Sequence, residues 1–252
     1  MFGWSIKLFR IRGIQLAVHW SFVFLLAAFA WEGYSNSGTS GAAWACLYLV
    51  AFFTCIVLHE LGHSFTGMHY GIRVRRILLM PIGGMAEFDR IPRLPRQELL
   101  ITVAGPAVNF VIAAILWLPT RQVASPANNL PSYAFQFFPC LRDLNLWIGL
   151  FNLIPAFPMD GGRIVRALLA YGLPYPRATF WAATVGKVVC VVGVIWALSQ
   201  RNVFAVALFL FIAGAGEAEY RTILMQERRK QEMLEASTTL SREPHDLHPG
   251  HN

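Results

Sequence analysis

The stretch LHELGHSFTG, residues 58–67, places two histidines and a glutamate behind an otherwise uncharged apolar run. Positions i and i+4 of a helix share a face. His59 and His63 can therefore turn imidazole nitrogens toward one metal ion while Glu60 projects beside them, within reach of an attacking water. This is the chemistry of a zinc hydrolase, and it requires a third protein ligand plus an open fourth position. The alternative is a pair of histidines that merely packs inside a bundle. Ionisable groups within a membrane-length apolar run are costly and usually functional, which favours the metal.

The third ligand is sought in NLIPAFPMDGG, residues 152–162, which ends another apolar run. Measured from Ala43 to His59 and from Leu144 to Asp160, the two runs are equally long. At the helical rise both residues lie roughly 24 Å from the outer interface. Asp160 also reads as the cap of a helix beginning near Gly162; the matching depth favours the ligand. Pro155 and Pro158 break the backbone at a depth where broken backbone is buried or lines a polar cavity. Asn152 has two readings, a donor to a developing oxyanion or a backbone bond holding the broken helix.

These residues need a membrane scaffold. Hydrophobic residues make up 56% of the 252 and charged ones only 14%, against roughly 25% charged in soluble domains. Six spans are predicted, over Ile14 to Trp31, Ala43 to Met68, Leu99 to Leu118, Leu144 to Pro158, Ala178 to Leu198 and Val203 to Ala215. Ala28-Phe29-Ala30 imitates a signal-peptide cleavage site, but the run continues to Trp31 as a retained anchor would. Val74 to Phe88 reads as strand, turn, strand around Pro81 and Gly83-Gly84.

The net charge of +7 comes from arginines and lysines between the apolar runs, without a basic helix interleaved with aromatics, so no nucleic-acid partner is expected. Arg73, Arg75, Arg76, Arg90, Arg93, Arg96, Arg163, Arg166 and Arg177 gather on one face with both termini, which predicts both termini cytoplasmic. The four cysteines show no C-x-x-C spacing; disulfides and thiolate metal sites are not expected. Two units are drawn, a membrane domain over 1–220 and a charged cytoplasmic tail over 221–252, partly disordered.

His59-Glu60-Leu61-Gly62-His63, the Pro81 to Met85 loop, Gly105-Pro106-Ala107-Val108-Asn109 and Asn152 through Gly162 together resemble the site-2 protease family of intramembrane zinc metalloproteases. The resemblance extends over much of the six-span region. It implies one zinc per chain on His59, His63 and Asp160, Glu60 as general base, and single membrane helices as substrates, cleaved within or near the bilayer. It also implies a supporting role near the site for Asn152 and Asn109. Many members carry a PDZ or CBS module that filters substrates. None is legible here, which leaves substrate selection open.

A helical peptide bond is shielded by its own hydrogen bonding, so a substrate must unwind. The strand at Pro81 to Phe88, with Gly83, Gly84 and Met85, offers an edge for an extended segment to pair with; a plain re-entrant hairpin packing the site is the competing reading. Gly105 and Asn109 can equally serve close helix packing and an interhelical hydrogen bond. The expected architecture is an all-α, six-span bundle with a short re-entrant β-hairpin between spans two and three, in a prokaryotic plasma membrane. The expected function is an intramembrane zinc endopeptidase acting through a Glu60-activated water. The rival is a metal or proton transporter permeating through the same His59, Glu60, His63 and Asp160 cluster. Transporters of that kind show internal repeats, and no second copy of either motif occurs.

Overall fold

Alternation of apolar with polar residues in SIKLFRI and IQLAVH suits strands rather than helix, and residues 5–19 fold as β1 (Ser5–Ile11) and β2 (Ile14–His19). The structure is a computed structural model that describes residues 5–81, 83–90, 92–122 and 132–240. Strand β3 (Val74–Met80) runs parallel to β2, and β4 (Gly83–Phe88) returns antiparallel to β3. The four-stranded sheet has the order β1-β2-β3-β4. The hairpin lies where the sequence predicts it, but as half of a larger sheet, so the chain is mostly helical rather than all-α. The first predicted span is corrected at its start. Ile14 to His19 are strand, because Ile14, Leu16 and Val18 alternate onto one buried face with Ile77 and Leu79 of β3.

Helix α1 (Ser21–His69) covers 49 residues, but Ser37 and Gly38 leave helical geometry, Gly38 at a φ of 63°. Two observations make it a hairpin of two arms. The Phe22 and Phe53 rings meet edge to face with centroids 4.7 Å apart, whereas on a straight helix they would stand roughly 46 Å apart. Gly33 and Gly41 are packed so closely that a Cβ on Gly33 would lie 2.5 Å from the Gly41 carbonyl oxygen. The second arm carries Leu49, Phe53 and Leu61 into the core beneath the sheet.

Helices α2 (Pro95–Gln122), α3 (Ser132–Asn152), α4 (Asp160–Leu169), α5 (Tyr175–Ser199) and α6 (Val203–Leu240) follow. Among the described residues, four helices are long and apolar enough to cross a membrane: α1, α2 over Pro95–Leu118, α5, and α6 over Val203–Met233. The predicted fourth span, Leu144 to Pro158, is shifted. Its helix ends at Asn152, and Pro155 and Pro158 fall in the loop before α4. Helix α6 runs unbroken past Ala215 to Leu240. The disorder expected of the tail's end falls on residues 241–252, with His245, His248 and His251, outside the described residues.

Candidate metal centre

Three helices build the site, and close approach at glycines lets them. The second arm of α1 carries His59, Glu60 and His63. Gly62, one position before His63, faces α2 so tightly that a Cβ there would lie 2.7 Å from the Ala104 carbonyl oxygen. Gly105 of α2 lies against the imidazoles themselves: a Cβ on it would overlap His63 Nε2 and stand 2.8 Å from His59 Nε2. Helix α4 brings Asp160. Gly161 and Gly162 allow the 153–158 loop to lie across its start, a Cβ on Gly162 falling 2.6 Å from the Phe157 nitrogen.

His59 Nε2, His63 Nε2 and Asp160 Oδ2 form a triangle with sides of 3.1, 3.2 and 3.2 Å, and all three residues are buried. Asp160 is the first residue of α4 rather than its cap. Met159 occupies the cap position, with no side-chain capping bond. The carboxylate is thereby left for the histidines, at the helix end where a negative charge is favoured.

The second ring nitrogens fix the proton positions. His63 Nδ1 donates to the Ile101 carbonyl oxygen at 2.7 Å. His59 Nδ1 faces Asn109 Oδ1 at 2.5 Å, and Asn109 spends its own amide donor on Asn145 Oδ1 at 2.9 Å. Asn109 must therefore accept from His59. Asn145 is anchored in turn, donating to the Leu141 carbonyl oxygen and to Cys55 Sγ. With both Nδ1 atoms protonated, both Nε2 atoms of neutral rings are bare acceptors.

Asp160 Oδ2 is buried without a hydrogen-bond partner. When both rings are neutral, three lone-pair atoms face one another, an arrangement that a cation relieves. Ligand atoms around a tetrahedral zinc at roughly 2.0–2.1 Å stand roughly 3.3 Å apart. The triangle fits that ion, and two imidazoles with one carboxylate are a zinc donor set that leaves a fourth position open. The outer hydrogen bonds are those that orient such ligands and raise their basicity.

The other sequence-derived residues are placed as follows. Glu60 is half-buried, and its side chain touches β4: a Cβ on Gly84 would lie 2.9 Å from Glu60 Cγ. Gly83 has a φ of 140°, open to glycine, and Met85 is exposed. All three stand on the strand that pairs only with β3 among the described residues. The Asn152 amide donates to the Ile148 carbonyl oxygen at 2.9 Å, within α3. His19 pairs with Ser21 Oγ at 2.6 Å. Cys55 Sγ accepts from Asn145, which in turn bonds Asn109. Sequence reasoning passed over Asn145, whose signal is a fully buried amide in the apolar stretch LNLWIGLFN, and the Ile101 carbonyl, which has no side-chain signal at all.

Comparison with known proteins gives the family. The chain is 38% identical over 221 residues to a zinc metalloprotease of Methanocaldococcus jannaschii, covering 88% of this chain and 62% of that one. It is 27% identical over 179 residues to stage IV sporulation protein FB of Bacillus subtilis, covering 70% and 58%. The chain thus spans about three fifths of the length of these curated relatives. Among solved structures it superposes on the site-2 protease from M. jannaschii with a TM-score of 0.61 and 36% identity, over 86% of this chain and 95% of that one. Residues 47–126 and 119–193 match peptidase family M50, spanning His59, Glu60, His63, Gly105, Asn109 and Asp160, and the chain belongs to that family.

Proposed function

We propose that the protein is an intramembrane zinc endopeptidase that hydrolyses peptide bonds within or near the membrane helix of single-span substrates. The observation that carries this reading is the buried triangle of three bare acceptors, with a carboxylate, Glu60, beside two of them on the same helix. His59, His63 and Asp160 would hold the metal. Zinc, when bound, supplies Lewis-acid polarisation of the scissile carbonyl and lowers the pKa of water. Glu60 takes the proton from the attacking water and later delivers it to the leaving amine. Asn109 and the Ile101 carbonyl keep the imidazoles in the tautomer that leaves Nε2 free.

Strand β4 is the proposed substrate platform. Its backbone passes Glu60 at Gly84, so an extended segment paired along that edge through Gly83, Gly84 and Met85 would lie beside the general base. Asn152 remains the proposed oxyanion donor. Its bond to Ile148 uses one amide hydrogen, and the amide has a second.

The proposed topology has six crossings, by the two arms of α1, then α2, α3, α5 and α6, with both termini cytoplasmic. The kinked hairpin of α1 supports counting its arms separately. Helix α3, 21 residues long, reaches roughly 31 Å despite carrying Arg142 and Asp143.

The test is cleavage of a panel of single-span peptides by the purified, reconstituted protein, with Glu60→Gln alongside and zinc assayed in both. Cutting by the unaltered protein alone, with about one zinc in each, is the expected result. Equal cutting by the variant would refute the assigned base. Zinc carried across vesicles without cleavage would favour the transporter.

A further inference from the structure

Away from the triangle, one buried side chain joins α4 to α2, α5 and α6. Arg166 lies on α4 six residues after Asp160, and its side chain is 1% exposed. It reaches Glu98 of α2 through two nitrogens, Nη2 at 2.6 Å and Nε at 2.8 Å from Glu98 Oε1. Its guanidinium stacks 5.1 Å from the ring centroids of Phe157, in the loop before α4, and Tyr175, at the start of α5. A third nitrogen points to Glu219 of α6 at 3.5 Å.

Glu98, whose side chain is 3% exposed, stands one helical turn before Ile101, the residue whose carbonyl orients His63. The pair therefore joins the helix that aims a histidine to the helix that begins with the carboxylate ligand. A cavity of about 490 Å³ opens beside it, bordered by Phe88, Glu98, Ile101, Thr102, Arg163 and Arg166. The ion pair bridges α2 and α4 at the edge of this cavity.

We propose that Glu98 and Arg166 are positioning residues of the metal centre, a buried strut between α2 and α4 that holds Asp160 at ligand distance from His59 and His63. This rests on the zinc reading above. Two further features fit a strut better than a surface contact. The guanidinium is clamped between two rings as well as bonded, and neither a lysine nor a glutamine could reproduce the two-nitrogen grip in that slot. The rod between Asp160 and Arg166 is short, under two helical turns, so a tilt at one end is passed to the other with little loss.

The test is the rate of zinc loss from the full-length purified protein into excess chelator, with the melting temperature of the zinc-free protein measured alongside. The visible spectrum of the cobalt-loaded protein reports ligand geometry. Arg166→Lys keeps the charge, and Glu98→Leu with Arg166→Met removes both charges together, so neither leaves a lone buried ion. Both are expected to melt near the unaltered zinc-free protein, yet to release zinc about 10–100-fold faster with an altered cobalt spectrum, as outer-shell losses do. Glu219→Gln, at the weak outer contact, is expected to release zinc at the unaltered rate. A folded double variant that retains zinc as long as the unaltered protein, with the same cobalt spectrum, would overturn the strut and leave the zinc reading intact. An unaltered protein that takes up no zinc would overturn both.

Discussion

Two carboxylate–cation contacts show how differently the halves of this protein are built. Between α2 and α4, Glu98 and Arg166 meet with both side chains sealed from solvent. On the flank of α5 and α6, Glu217 meets Lys187 and Arg221 with Lys187 half exposed and Arg221 more so. The first region contains the buried polar groups of the metal centre: His59, His63, Asn109, Asn145 and Asp160. The second presents Val188, Val191, Val192, Ile195, Phe204 and Phe211 outward and touches the site through apolar contacts, Cys190 and Ile212 packing on Ala156 and Met159. Buried polar groups are stable only when fully satisfied. In the first region the two Nδ1 atoms and the amides of Asn109 and Asn145 are satisfied by neighbours that also orient a ligand, and Asp160 Oδ2 is left for a cation, so structure and chemistry are inseparable there. In the second they are separable.

That contrast has measurable consequences. Asp160→Ala should abolish cleavage and reduce bound zinc from about one per chain toward none, since two imidazoles do not make a closed catalytic donor set; metal analysis of the purified variant checks this. Gly105→Ala comes next. Alanine is ordinarily favoured over glycine inside a helix by about 0.5–1 kcal/mol, yet here the added methyl would overlap His63 Nε2. Zinc affinity should fall by at least about 100-fold, read by chelator competition, while helix content by circular dichroism is kept.

Asn109→Ala should weaken zinc binding by about 10–100-fold, because His59 loses the acceptor that fixes its tautomer. Gly84→Ala acts on the other carboxylate. Zinc content should be unchanged, and turnover should fall by up to about 100-fold as Glu60 is displaced from its place, seen as a fall in kcat at constant metal content. At the far end stands Lys187→Ala on the α5–α6 flank, which should change neither zinc retention nor turnover. A large loss from that substitution would erase the distinction between the two regions.

How much of this was legible in the sequence follows from what each element depends on. The His59–His63 pair is a local property of helical period, and Asp160 could be matched to it because distance along a span is also distance through a bilayer. The strands at Ser5–Ile11 and Ile14–His19 were hidden. Each is six or seven residues long, and β2 adjoins an apolar helix, so its alternation merged into the run that follows. The fourth span was misplaced because Leu144 to Pro158 is apolar apart from Asn145 and Asn152, whereas the helix ends at Asn152, ahead of Pro155 and Pro158, which cannot donate backbone hydrogen bonds. Arg166 was counted among the cytoplasmic cations, a sound use of composition that cannot reveal burial. Arg75 and Arg76 instead pair across the hairpin with Asp89 and Glu87. Asn145 finds its partner 36 residues away, and no spacing rule reaches that far.

The central claim is that one zinc is held by two imidazoles and one carboxylate, drawn from α1 and α4. X-ray absorption at the zinc edge of the purified protein, compared with Asp160→Cys, tests it most directly. The account predicts a nitrogen and oxygen shell without sulfur in the unaltered protein, and one sulfur gained in the variant. A sulfur ligand already present in the unaltered protein, or a shell that the Asp160→Cys substitution leaves unchanged, would contradict it.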